Sequence, residues 1–238
     1  MSLVLFLHGE HFAAMGRPFL DRLGAGRELH APRHPGYDGA PPDPDFRTVD
    51  DLAYRYLDLL EELDARDALI VGASLGGWIA LEMAVRDTSR IARMALLAPV
   101  GVKLSGREER DFADLPFLPE AEAARALFHD PARWVPDHAA LDEAAVEALA
   151  EERQWAAWYG WKPYMHNPVL GNWLHRAAVP TLLLWGESDG FALPDYGRRL
   201  ADRLPDARFE TVAAAGHYPH IERADAAADA VLAFLESA

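Results

Sequence analysis

Residues 68–77 read Ala-Leu-Ile-Val-Gly-Ala-Ser-Leu-Gly-Gly, an apolar run that stops at Gly72 and turns through Ser74 into the helix-compatible stretch Trp78-Ile-Ala-Leu-Glu-Met-Ala. A Gly-x-Ser-x-Gly turn between strand and helix is a demanding piece of backbone, because side chains at positions 72 and 76 would collide with their neighbours. What the turn gains is a serine hydroxyl standing clear of a sheet, with the first amides of the following helix aimed at whatever that hydroxyl meets. A chain that contains it must supply a buried strand before the turn and a helix after it.

The remaining pattern is consistent with that demand. Buried-strand runs near 3–7, 28–31, 68–72, 93–98, 180–185 and 208–212 alternate with helical periodicity at 49–63, 76–86, 195–204 and 223–236. Alternation of this kind predicts a parallel sheet with helices on both faces, here an α/β fold of about six strands. With 238 residues, half of them apolar, the chain can bury one full core. The stretch 102–178 is more than the sheet topology needs and reads as a helical cap insertion, with pieces such as 119–128 and 141–158 separated by Pro131, Pro136, Pro163 and Pro168. The expected division is a core of residues 1–101 and 179–238 with a cap of 102–178. Pro and Gly cluster at 32–44, which predicts an ordered loop.

By chance alone a Gly-x-Ser-x-Gly turn would occur in roughly one chain of this length in ten, so its context carries the weight. The opening run Leu3-Val-Leu-Phe-Leu ends in His8-Gly9; Thr181-Leu-Leu-Leu-Trp-Gly ends in a loop bearing Glu187 and Asp189; and Ala215-Gly-His217 follows the strand-like Arg208–Val212. A serine hydroxyl is a poor nucleophile unless a base takes its proton, and a base works best when an acid holds its tautomer. Ser74, Asp189 and His217 are the candidates for the three roles, with Glu187 and His220 as the nearest competitors for acid and base.

These segments, Phe6-Leu-His-Gly9, Arg33-His-Pro-Gly36-Tyr-Asp-Gly39, Val71–Gly77, Leu184-Trp-Gly-Glu-Ser-Asp189 and Ala215-Gly-His-Tyr-Pro-His-Ile-Glu222, resemble those of the α/β-hydrolase superfamily, in particular its bacterial esterase-type serine hydrolases with a helical cap. The resemblance covers nearly all of the chain. It implies the order serine, acid, histidine, an oxyanion hole made by the backbone amides of Leu75 and Glu10, and a cap roofing the site. It also implies a carboxylic ester of a small or medium hydrophobic group as substrate. Carbon–carbon hydrolysis of diketone or ring-cleavage products and non-catalytic ligand binding are the alternatives. Members usually begin with two further strands, so a six-stranded sheet with 27–31 at its edge is expected, and edge pairing in a homodimer follows as a possible assembly.

Five of the seven tryptophans fall in the insertion, at 134, 155, 158, 161 and 173. Packing of the cap onto the core accounts for any one of them; as a group they suggest an apolar pocket roof, with His11, Trp134, Trp155, Trp158, Tyr159 and Trp161 as candidate lining. Glu10 is unusual, since a carboxylate beside a developing oxyanion is unfavourable. It is expected to turn to solvent or pair with His11 or Arg17; facing inward, it could bind a cationic or hydroxylated substrate.

A net charge of −15 argues against nucleic acid and anionic membranes as partners and leaves a small-molecule substrate. The absence of cysteine excludes a thiol nucleophile, thiolate metal sites and disulfides. No metal or organic cofactor is implied, because the Gly-rich segments lack nucleotide-binding spacing and the histidines lack paired ligand spacing. The run 3–7 is too short for a signal-peptide core, and a cytoplasmic protein is the expectation.

Overall fold

Leu3, Leu5 and Leu7 belong to one buried cluster and Val4 and Phe6 to another, so the first strand already divides its side chains between two cores. This period of two, continued in the neighbouring strands, is what a sheet covered on both faces requires. The computed structural model describes residues 3–237. The elements are β1 (Leu3–Leu7), α1 (Arg17–Leu23), β2 (Glu28–His30), α2 (Val49–Glu62), β3 (Ala68–Ala73), α3 (Leu75–Arg86), β4 (Ile91–Leu97), β5 (Gly101–Val102), α4 (Glu120–Leu127), α5 (Pro131–Trp134), α6 (Glu143–Gly160), β6 (His166–Asn167), β7 (Thr181–Gly186), α7 (Pro194–Ala201), β8 (Ala207–Val212), α8 (Pro219–Glu222) and α9 (Ala224–Glu236).

Six strands pair in the order β2-β1-β3-β4-β7-β8, every pairing parallel. Helices α2, α3 and α7 cover the face bearing Leu5, Ile70, Met94, Leu96 and Leu183. On the other face α1 and α9 bury Phe19, Leu23, Val231 and Phe234 against Val4, Val71 and Leu184. Helix α2 starts where Thr48 and Asp51 cap each other, each side chain taking a backbone N–H of the other residue.

The connection out of β1 runs to one side of the sheet and the connection out of β3 to the other. Their carboxyl ends therefore part and leave a crevice, the place where open parallel sheets bind ligands. The residues immediately after β1 are 8–10 and immediately after β3 is Ser74. Between β4 and β7 the chain leaves the sheet to form α4–α6 and the short parallel pair β5-β6.

Candidate active site

Ser74 sits between β3 and α3 with φ 46° and ψ −109°, a conformation that side chains other than glycine rarely adopt. The surroundings impose it. A Cβ on Gly76 would lie 2.0 Å from the carbonyl oxygen of Leu7, and one on Gly72 would lie 2.5 Å from that of Gly76. Ser74 N–H donates to the Leu97 carbonyl at 2.9 Å, and the Ser74 carbonyl accepts from Trp78 N–H at 3.0 Å, so the strained residue is held on both sides.

His217 Nε2 lies 2.7 Å from Ser74 Oγ and its Nδ1 2.8 Å from Asp189 Oδ2. The other Asp189 oxygen accepts the amides of Phe191 and Ala192 at 2.9 and 3.0 Å, which fixes the carboxylate's direction. Burial pushes the His217 imidazole down, but the charge and hydrogen bond of Asp189, with Glu10 adding, outweigh it and leave the ring above its ordinary range. The competitors are elsewhere. Glu187 is exposed and accepts from Thr211. His220 is buried near Phe6 and Phe19 with Nδ1 unpartnered, and burial lowers it to about 3.

The His217 loop is anchored by a carboxylate that the sequence reading did not single out. Buried Glu222 accepts the amides of Gly216 at 2.5 Å, His129 at 3.1 Å and Asp130 at 3.0 Å. It thus joins the histidine loop to the segment after α4. The spacing 217–222 places it one short helix beyond the histidine, but its three partners come from the fold.

Glu10 differs from expectation. It is 2% exposed, and instead of turning to solvent its Oε2 accepts the Leu75 amide at 3.2 Å while Oε1 accepts the Tyr218 hydroxyl at 2.9 Å. Burial alone would raise its pKa; the charges of His11 and His217 and hydrogen bonds involving its own amide and Ser74 reverse this and hold it below the usual carboxylate range. The carboxylate therefore lies at the two amides expected to form an oxyanion hole. The pairing with Arg17 is not made, since Arg17 binds Asp21.

The loop that carries Glu10 rests on a pair of neutral histidines. His8 Nδ1–H donates to Gly9 O at 2.7 Å and Nε2 accepts His34 N–H at 3.0 Å, while His34 Nε2–H donates to His8 O at 3.0 Å. The Nε2 that accepts requires an uncharged His8 ring, while His34 Nδ1 faces the Tyr56 hydroxyl at 2.5 Å. Burial does lower both, His8 to about 4.

Above the crevice is a cavity of about 610 Å³ lined mainly by apolar groups, among them Phe12, Leu115, Leu127, Tyr164, Met165 and Phe191. Ser74 and His217 have no exposed surface, and Glu10 lines the cavity on their side. Of the candidate lining residues, His11 and Trp161 are in the wall. Trp134, Trp155, Trp158 and Tyr159 are not. Trp155 packs on Gly36, where a Cβ would come within 2.2 Å of the ring; Trp158 Nε1 donates to Phe46 O at 2.9 Å; and the Tyr159 hydroxyl donates to Pro35 O at 3.1 Å. These residues bolt α6 to the segment 35–46, and Trp134 stacks under Arg133. The cavity receives the opposite stripe of α6: Leu149, Glu152, Arg153, Ala156, Ala157 and Gly160. Its spacing of three and four residues was a readable helical face.

Among the described residues no group of three or more His, Cys, Asp or Glu is arranged to hold a metal ion, and no helix is long and apolar enough to cross a membrane.

Residues 4–230 match the alpha/beta hydrolase family, and the chain belongs to it. The chain is 27% identical to the biotin biosynthesis bifunctional protein BioHC of Teredinibacter turnerae over 98% of its own length, but spans only 44% of that protein. It is 26% identical to the 2-hydroxy-6-oxononadienedioate/2-hydroxy-6-oxononatrienedioate hydrolase of Cupriavidus pinatubonensis, covering 98% of this chain and 86% of that one. A crystal structure of a variant of the meta-cleavage product hydrolase CumD superposes with a TM-score of 0.77 at 20% identity, covering 100% of this chain and 92% of that one.

Proposed function

We propose that the protein is a serine hydrolase that cleaves a carboxylic ester of a small or medium hydrophobic substrate through an acyl-enzyme. The observation that carries the reading is the hydrogen-bonded series Ser74–His217–Asp189, at 2.7 and 2.8 Å, beside an apolar cavity. In this reading His217 takes the Ser74 proton as Oγ bonds to the acyl carbon. The tetrahedral intermediate collapses as the alcohol leaves with the proton from His217. Water, deprotonated by His217, then releases the acid and restores Ser74–H. Asp189 keeps Nδ1 protonated and stabilises the imidazolium, which its position between the Phe191 and Ala192 amides supports.

The same three groups could hydrolyse a carbon–carbon bond, and the name of the Cupriavidus relative favours that second reading. Against it, that relative's named substrates are dicarboxylates, whereas this cavity is lined by the carboxylates of Glu10 and Glu152 together with His11 and Arg153. A chain-length series of p-nitrophenyl esters, assayed beside a 2-hydroxy-6-oxo-dienoate, separates the two. Ester turnover that disappears in Ser74→Ala and His217→Ala is expected; turnover of the dienoate alone would move the assignment to carbon–carbon hydrolysis.

A further inference from the structure

Glu10 conflicts with simple acyl transfer. The Leu75 N–H can serve one strong acceptor, and the Glu10 carboxylate takes it at 3.2 Å, with its second oxygen on the Tyr218 hydroxyl. A substrate carbonyl needs that amide, because the oxygen bound there gains negative charge as Ser74 attacks. A carboxylate left in place would both block the donor and repel the charge, and in a buried site that repulsion is poorly screened. The hydrogen bonds on Glu10, from the Leu75 amide, its own amide, the Tyr218 hydroxyl and Ser74, come from neutral groups, and its charge is offset through space by His11 and His217. Glu10 also lines the cavity, which gives the carboxylate a direction in which to withdraw.

We propose that Glu10 is a specificity-determining residue: its carboxylate occupies the oxyanion position, yields the Leu75 amide to the substrate carbonyl, and then faces the acyl group, selecting acyl chains that carry a positive charge over neutral ones and rejecting anionic ones. The proposal rests on the serine-hydrolase reading. It makes the carboxylate a selector in two ways. A cationic acyl group draws Glu10 out of the hole and neutralises it there, whereas an anionic group meets it in a cavity that Glu152 also lines, with Arg153 beside it.

The test uses three matched p-nitrophenyl esters whose acyl chains end in trimethylammonium, tert-butyl or sulfonate, with the wild type, Glu10→Gln and Glu10→Ala. The wild type should rank them cation, neutral, anion in kcat/KM, with roughly tenfold between steps. In Glu10→Gln the ranking should flatten to within about threefold, and the neutral ester should be turned over roughly tenfold faster because the competing charge is gone. An unchanged ranking in Glu10→Gln would overturn the proposal, as would loss of all three activities in a folded variant.

Labelling of Ser74 by a fluorophosphonate, whose P=O oxygen uses the same amides, reads the nucleophile without an ester. If no ester is cleaved but Ser74 labels, faster labelling of Glu10→Gln than of wild type upholds the inference and equal rates refute it. Failure of Ser74 to label in any folded variant would sink the serine-hydrolase reading and the role of Glu10 with it.

Discussion

The floor and the roof of the cavity are built on different principles. The floor is the sheet side: Ser74, Asp189 and His217 follow β3, β7 and β8, are buried and are hydrogen-bonded in series, with Asp189 held further by the Phe191 and Ala192 amides. The roof is one helix face of Leu149, Ala156, Ala157 and Gly160 with Glu152 and Arg153, backed by aromatic residues that point away from the cavity. In the proposed reading, reaction chemistry needs fixed atoms and sits at the strand ends, cavity volume needs only a surface and is set by the helix, and charge selection falls to Glu10 between them. The two meet at residues 10–12, where Glu10 reaches the Leu75 amide and Phe12 N–H donates to Glu152 of the roof at 3.0 Å.

If floor and roof divide the work in this way, changes in the floor should dominate. Ser74→Ala and His217→Ala are expected to lower kcat by roughly 10⁴-fold or more with the fold intact, measured by ester turnover and circular dichroism. Asp189→Asn should follow at roughly 10⁴-fold, since Nδ1 loses its acceptor and the ring its correct tautomer. Because His217 must be unprotonated to act and its pKa is held up by Asp189 and Glu10, activity should fall as pH falls through a value above the ordinary 6.5. Glu10→Gln should move that acidic limb to lower pH, because the carboxylate that raises His217 is removed, while His220, lowered to about 3, stays neutral across it.

Next in size are effects on stability. In Gly76→Ala the added methyl meets Leu7 O at 2.0 Å, so a loss on the order of 4 kcal/mol, or failure to fold, is expected in urea denaturation. The neutral histidine pair gives a pH signature of its own. His8 titrates near 4 when folded and near 6.5 when unfolded, so below about pH 6.5 the unfolded chain takes the proton first. Stability should therefore fall as pH drops from about 6.5 toward 4, by about 1.4 kcal/mol per unit for this group, with His34 and His220 adding in the same direction and His217, whose pKa is raised, opposing them. Equal denaturation midpoints at pH 7 and pH 5 would contradict the neutral pair.

The roof should give the smallest and most selective effects. Ala157→Leu narrows the cavity and is expected to shift the preferred acyl chain shorter, with about tenfold discrimination against long chains and little change for the shortest. Trp158→Ala removes one hydrogen bond to Phe46 O at a half-exposed position and should cost about 1 kcal/mol of stability without altering chain-length preference. An altered preference in Trp158→Ala would mean that the outward aromatic face shapes the cavity after all.

This contrast also explains what could be read in advance. The parallel sheet needed only continuous apolar runs separated by helices, and the three polar residues needed only turn chemistry, because a side chain at Gly72, Gly76 or Gly186 would strike backbone. The roof was harder. Tryptophan content says that α6 packs against something, but which face meets the cavity depends on how Gly36 receives Trp155. The direction of Glu10 was harder still, since its partners Leu75 and Tyr218 lie 65 and 208 residues away in the chain. Local charge rules sent it to solvent or to a base such as His11 or Arg17; a phenol and an amide brought together by the fold hold it inside.

The account stands on Ser74 acting as a nucleophile, and trapping the covalent intermediate tests this most directly. Rapid acid quench during turnover of a p-nitrophenyl ester, followed by peptide mass spectrometry, should find the acyl group on the peptide containing Ser74 and no adduct in Ser74→Ala. Continued ester turnover by Ser74→Ala, with no acylated peptide in the wild type, would contradict it.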